Sequence, residues 1–366
     1  MLDLNDGGAA SYVSGSGTTS LTFDYVPGAE TTADLKITGI DQTGGTITGS
    51  GGNGLPSNLS SDLALTVNAD SWKTGAGGNF SSAAKWTLGS TPTSSQEASL
   101  AVAGTYTVSV TSGASATVAA LSIADKTATL LVMSGGTFSA TSGTGVDANL
   151  GTIAVNSGGT LDIGGTVNNS GTIEALGGNA SALLNSTTVD DVSSGVILAS
   201  GAGAQVDLDN ATISGGTLKT SASGAAIETV SGGVNSIAGV AIAGGAVVEA
   251  TSGSTLTLSG GTIGSGALVE VLSSGTVVVS GTVANSGTLF ASGAGSLLDI
   301  AGVVNGGITE VGNGTVEIGG PSSENVSFQS KGSGTLQLDN ASSYTGKISN
   351  FGVGPRRTTT VPKTSI

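Results

Sequence analysis

The chain of 366 residues has no cysteine and no histidine. Without thiols, neither disulfides nor thiolate chemistry is available. Without imidazole, the commonest general base and the commonest metal ligand are missing. Charged residues are also scarce, at 10% where about a quarter is usual. Aromatic residues make up 3% and prolines number six, so one thick core built on large rings is ruled out. Positive charge is the rarest commodity: 10 Lys and Arg stand against 25 Asp and Glu, a net charge of −15. That balance argues against nucleic acid, whose binding rests on neutralising phosphates with Lys and Arg, and against adsorption to anionic lipid. No apolar run of about 18 residues occurs, so no transmembrane helix is expected. The opening residues Met1 to Asp6 lack the basic and apolar regions of a signal peptide.

Glycine is abundant, at 63 residues, and hydrophobic residues make up 37%. Disorder goes with low hydrophobicity and high charge, so this chain has apolar side chains to bury, small and evenly spread. They recur in a pattern. Gly-Thr-apolar appears at Gly136-Thr137-Phe138, Gly159-Thr160-Leu161, Gly165-Thr166-Val167, Gly216-Thr217-Leu218, Gly275-Thr276-Val277 and Gly334-Thr335-Leu336, among others. Two long blocks align, SGGTLDIGGTVNNSGTI at 157–173 and SSGTVVVSGTVANSGTL at 273–289, offset by 116 residues or several coils. In each unit a Gly or Ser-Gly turn precedes three to five residues of alternating character, as in Thr160-Leu161-Asp162-Ile163. Period-two alternation marks a strand with one buried face. Helix formers are too few, and glycine too frequent, for helices to persist.

These features predict an all-β chain: a right-handed parallel β-helix (β-solenoid) with a partial antiparallel β-sandwich at the N-terminus. A left-handed helix would use six-residue spacings, which occur but are not sustained. At roughly 20 residues per coil, residues 100–350 give about a dozen coils, stacked about 4.8 Å apart. Asn168, Asn169, Asn210, Asn285 and Asn340 fit turns, because Asn tolerates left-handed backbone; stacked Asn side chains also form ladders. The expected divisions are a partial immunoglobulin-like segment at 1–48, a linker at 49–60, a capping region with the first coils at 61–130, the solenoid at 131–350 and a disordered tail at 351–366. Trp72 and Trp86 would close the open end of the solenoid, which otherwise exposes unpaired strand edges. Alone, residues 1–48 are expected to pack poorly, since half a sandwich leaves an apolar face uncovered.

Few residues suggest chemistry. Asp190-Asp191 is the only adjacent acid pair. Paired carboxylates serve as acid and base in glycosidases, but the ordinary reading is a solvated turn after Val189. Residues 134–320 hold 13 acids and a single lysine, Lys219. Calcium prefers oxygen ligands, and Asp207 and Asp209 share one face of a strand, which makes them the calcium candidates. The Gly-Gly-x-Gly-x-Asp nonapeptide of calcium-loaded β-rolls is missing; Gly51-Gly52-Asn53-Gly54 lacks the Asp. No Gly-Lys-Ser/Thr occurs, so the glycines read as turns rather than a phosphate loop. The threonine pairs Thr105/Thr107 and Thr255/Thr257 are too isolated for an ice-binding array. The expectation is therefore no catalytic residue, no enzyme, and no cofactor other than calcium.

The stretch WKTGAGGNFSSAAKW from Trp72 to Trp86, followed by Thr105-Tyr106-Thr107-Val108, resembles the module that opens many β-helical passenger regions of autotransporter-type and related giant repeat proteins of proteobacteria. Gly334 to Leu338 with Ser343 to Ile348 looks like another unit of such proteins, and residues 3–40 resemble the C-terminal half of the bacterial immunoglobulin-like repeats that often precede them. The resemblance covers most of the chain, through degenerate motifs. It implies a secreted or cell-surface, outer-membrane-associated adhesin or biofilm scaffold, part of a longer polypeptide, with glycans or proteins of host or bacterial surfaces as partners. A lack of cysteine fits export. A carbohydrate-active β-helix enzyme and a calcium-stabilised repeat module are the alternatives. The chain departs from the family pattern in having no translocator barrel and in the tail from Pro355, which holds both arginines, Arg356 and Arg357.

Overall fold

A computed structural model describes residues 1–5, 8–25, 31–43, 45–48, 61–141, 145–352 and 358–360. Alternation of apolar and polar residues sets the local structure. In Gln205–Asp209, Val206 and Leu208 point inward while Gln205, Asp207 and Asp209 point outward. Leu297–Ile300 and Thr335–Leu338 repeat the same in–out pattern. A strand this short cannot bury its row alone; it does so by stacking in register on the strands one coil before and after.

The result is a parallel β-solenoid of about twelve turns. Up to about residue 305, each coil lays down three faces. The first runs through Glu97–Leu100, Ala120–Ile123 and Gly145–Asn149. The second runs through Tyr106–Val110, Ala128–Val132 and Thr152–Val155. The third runs through Ser115–Thr117, Thr137–Ala140 and the start of Thr160–Asn169. Where turns are tight the strands merge: Ser181–Ala199 passes through all three faces in one coil. From Glu97 on, partners on adjacent coils lie 17 to 26 residues apart, most of them 20 to 24, close to the coil length the repeats imply.

Register turns sequence repeats into columns of buried side chains. On the second face Leu130, Ile153, Ile173, Ile197, Leu218 and Ile242 stack one upon the next, all within 3% of full burial. On the third, Leu161, Ala182, Val206, Ile227, Val248 and Val269 do the same. Each aliphatic side chain so buried is worth about 1.5–3 kcal/mol, which is how a chain poor in aromatics holds together.

The two aligned blocks do not sit on equivalent faces. From Thr160 on the third face, register leads through Ser181, Gln205 and Ala226 to Val247 and then Leu268. Thr276, the sequence counterpart of Thr160, lies one face further on, beside Thr255 of the first face. The 116-residue offset thus equals five coils and one face.

At the N-terminal end Trp72 and Trp86 are fully buried, edge to face at 5.1 Å. Phe80 packs on Trp86 at 4.9 Å and on Phe138 at 5.8 Å, linking this cluster to the column of the third face. The Trp86 Nε1 donates to the Phe80 carbonyl at 2.6 Å. Both tryptophans thus belong to the solenoid's core at this end. Before them lies a small antiparallel sheet. Leu2–Leu4 pairs with Ala9–Ser14 on one side and Thr31–Ile40 on the other; Thr22–Asp24 extends the first edge and Ser61–Ser71 the second. Its own cluster is Leu4, Ala10 and Leu35, flanked by Leu2, Phe23, Tyr25 and Ile37. The last three residues of Ser61–Ser71 pair in parallel with Glu97–Leu100, so one strand belongs to both sheet and solenoid. The 49–60 stretch expected as a linker lies outside the described residues.

Of the tail expected to be disordered from 351, residues 351–352 and 358–360 are described. Thr358–Thr360 pairs in parallel with Thr335–Leu338, and Phe351 packs edge to face on Phe328 at 5.2 Å. The strand edge left by the last coil supplies the reason: it offers unpaired backbone groups that an extended segment satisfies.

Candidate functional site: polar columns of the solenoid

The register that stacks aliphatic residues inside also stacks polar residues outside. On the third face Asp207 pairs with Glu228, Glu228 with Glu249, and Glu249 with Glu270. Phe290 follows, then Glu310. Four carboxylates thus stand on four successive coils at the spacing of a β-ladder, about 4.8 Å. Burial raises the pKa of Asp207, against the opposing effect of a hydrogen bond from Ser181. Burial, then Asp207, raises Glu228; burial, then Glu228 and Glu270, raises Glu249. A second outward group of acids lies on the first face, where Asp299 pairs with Glu317 and Asp339 is close to both. Burial and mutual repulsion raise Asp299 and Glu317 as well.

The calcium candidates fall on this surface. Asp207 and Asp209 share the outward side of one strand, as the sequence implies. Asp207 accepts from Ser181, while Asp209 pairs in register with Asn185 and accepts from Asn210 at 2.8 Å. The nearest acid in register with Asp207 is therefore Glu228, on the next coil. Among the described residues, no group of three or more acids is arranged to hold a metal ion.

The pair Asp190 and Asp191 corrects its sequence reading. It is not a solvated turn: Asp190 is exposed, but Asp191 is 2% exposed. Successive strand residues point to opposite sides, so the two carboxyls lie on opposite sides of the wall and cannot act on one substrate together. Asp191 ends an interior ladder. Asn149 Nδ2 donates to Asn169 Oδ1 at 2.8 Å, and Asn169 Nδ2 donates to Asp191 Oδ1 at 2.6 Å. Asp191 Oδ2 is buried without a partner, and burial pushes the group up to about 6. Two glycines make its room: a Cβ on Gly216 would lie 2.4 Å from the Asp191 Cβ, and one on Gly195 would lie 2.3 Å from its Oδ1.

The same ladder revises the asparagine reading. Asn210 does take the left-handed backbone expected of a turn, with φ of +53°. Asn169 and Asn285 instead point inward and are buried; Asn285 accepts from the Gly287 amide at 2.8 Å. Thr107 is less isolated than its sequence neighbours suggest, since it stacks with Thr129, Thr152 and Thr172. Its strand neighbours two residues on are Ser109, Leu131, Ala154 and Glu174, so no two-dimensional threonine array forms.

A concavity of about 300 Å³ opens beside the cap, lined by Phe80, Pro92, Val110 and Ala116 with Ser and Thr side chains at its rim. No charged residue lines it. Among the described residues, no helix is long and apolar enough to cross a membrane. Compared with family models, curated proteins and solved structures, the chain matches none.

Proposed function

We propose that the chain is a non-catalytic, stiff structural segment of a secreted bacterial surface protein, and that it holds cells to surfaces or to one another. The observation carrying this reading is the continuous parallel stacking of all three faces, with only local register shifts, from about residue 115 to about residue 305. Coils locked by both backbone ladders and aliphatic columns resist bending. Their outward positions carry Ser, Thr, Asn and acids that are free to vary without disturbing the core. The acidic surface keeps such a rod soluble and suits glycan or protein partners rather than nucleic acid.

The test is display of the chain on an otherwise non-adherent bacterium, with cell retention measured under flow on glycan-coated and protein-coated surfaces. Retention that added free chain competes away is expected. Retention equal to that of the undisplayed strain sinks the proposal.

The acidic column keeps one alternative in play, a carbohydrate-active surface, because acids and an aromatic ring, Phe290, share one face. Release of reducing ends from acidic or neutral polysaccharides, abolished by Glu249→Gln, would favour it over the adhesive rod. The calcium-stabilised alternative requires a melting temperature that rises with calcium and falls back with chelator.

A further inference from the structure

Glu324 is a carboxylic acid sealed inside the solenoid, at 1% exposure. It sits where the second face has lost its strand: among the described residues Val303–Asn305 is the last strand of that face's ladder, and the chain returns to the third face at Asn325–Phe328. Thr309 on the preceding coil donates its hydroxyl to Glu324 Oε2 at 2.7 Å. The other oxygen, Oε1, is buried with no partner. The following coil is built on this segment. Tyr344 donates its hydroxyl to the Glu324 carbonyl at 3.0 Å, the Thr345 amide donates to the Ser322 carbonyl at 2.8 Å, and Ser322 and Tyr344 form a parallel bridge.

A buried carboxylate with a single donor and no cation is strongly disfavoured, whereas the neutral acid is tolerated. We propose that Glu324 is a pH-operated latch on the C-terminal coils. Protonated, it stays tucked into the solenoid; ionised, it leaves and loosens the coil that Tyr344 and Thr345 build upon it.

Among the described residues, the surroundings leave the carboxyl uncompensated. From the following coil it faces Tyr344, whose hydroxyl is pushed up to about 12, by burial first and then by Glu324, and stays neutral. From the preceding coil it faces the neutral Thr309. Glu310, next along that strand, is turned outward, where Gln329 donates to it at 3.1 Å. Glu317 and Asp339 are engaged with each other on the first face. Burial holds Glu324 at about 7, with the Thr309 hydrogen bond pulling the other way. The folded value lies above the ordinary 4.5, so the latch is fully closed below about pH 4.5. It weakens as pH rises towards 7 and weakens no further above that.

The test is amide exchange on the full chain from pH 5 to 8, corrected for the intrinsic pH dependence of exchange. Amides of 322–328 and 344–349 are expected to lose protection about tenfold per pH unit between pH 5 and 7, while those of 128–140 do not. Glu324→Gln should flatten that profile. Thr309→Val, which keeps the acid but removes its donor, should move the midpoint to higher pH. A flat profile in the unaltered chain, or an equal slope in Glu324→Gln, overturns the proposal. Should Glu324→Gln not fold, Glu324→Leu takes its place. Should neither fold, the unaltered and Thr309→Val profiles decide.

Discussion

Asn169 donates its side-chain amide to the Asp191 carboxyl on the next coil, 2.6 Å away, and both side chains are closed off from solvent. The donor chain that starts at Asn149 therefore ends on an acid. That acid keeps a buried oxygen without a partner and is held up to about 6, mainly by burial. Its folded value exceeds the ordinary 3.8, so it costs nothing below about pH 3.8. It destabilises progressively as pH rises to 6, by about 3 kcal/mol in full. Asp191→Asn removes this cost but leaves an amide short of one acceptor, a penalty of about 1 kcal/mol. The variant should be more stable than the parent by roughly 1–2 kcal/mol at pH 7.5 and slightly less stable at pH 4. Denaturant unfolding at the two pH values checks the reversal.

The column from Asp207 to Glu270 stacks like charges in register, an arrangement that costs some tenths of a kcal/mol or more per pair. Glu249 has an acid on either side. Glu249→Gln should therefore stabilise the chain by about 1 kcal/mol at pH 7.5 in low salt, and the gain should shrink in 0.5 M salt as screening relieves the parent. Burial and neighbouring acids raise Asp207, Glu228 and Glu249, so lowering the pH towards 5 should also raise the parent's melting temperature. Calorimetry across salt and pH measures all three effects. A gain indifferent to salt would assign the column no electrostatic role.

Gly216 and Gly232 both have positive φ, +67° and +81°. They differ in their surroundings: a Cβ on Gly216 would strike Asp191, whereas one on Gly232 would meet nothing within 4 Å. Gly232→Ala should cost about 1 kcal/mol, from backbone strain alone. Gly216→Ala should cost at least about 2 kcal/mol more, because it overpacks the acid pocket. Equal losses in denaturant unfolding would mean that the pocket relaxes freely.

Both tryptophans of the chain lie in the N-terminal cap, so tryptophan fluorescence reports on that end alone while circular dichroism reports on the whole rod. Removing the Trp86 ring leaves a cavity and frees the Phe80 carbonyl, at a cost of about 3–5 kcal/mol. In Trp86→Ala the signal of Trp72 should be lost at lower denaturant than the dichroism of the coils, since stacked coils unfold as linked local units. Coincident transitions would show the cap and coils melting as one.

The all-β solenoid was legible in the sequence because one physical rule governs it: alternation writes a half-buried strand, and glycine writes the turn after it. Trp72 and Trp86 stand out as two large rings set ahead of small-residue repeats, and both are buried in the core. The acidic column was also written there, as acids at positions 207, 228, 249 and 270, an even spacing one coil long. Total charge hides it; only the period of the acids reveals it. Asp191, Asn169 and Asn285 could not be placed by type, since a polar residue at a strand end reads as a turn until the register shows which way it points. Glu324 carries no sequence signal; its burial depends on the lost strand of the second face. The pairing of Thr358–Thr360 depends likewise on an open edge three-dimensionally nearby, which composition does not reveal.

The five-coils-and-one-face offset between 157–173 and 273–289 identifies the elementary module of this chain as a single side of the triangle, not a full circuit. Gain or loss of one Gly-Thr unit by recombination would therefore leave the interior content with its small aliphatic filling, yet rotate everything downstream by a third of a revolution. The carboxylate stripe would then emerge on a different flank. A lineage built this way can re-aim the surface it offers to the outside world without redesigning its interior.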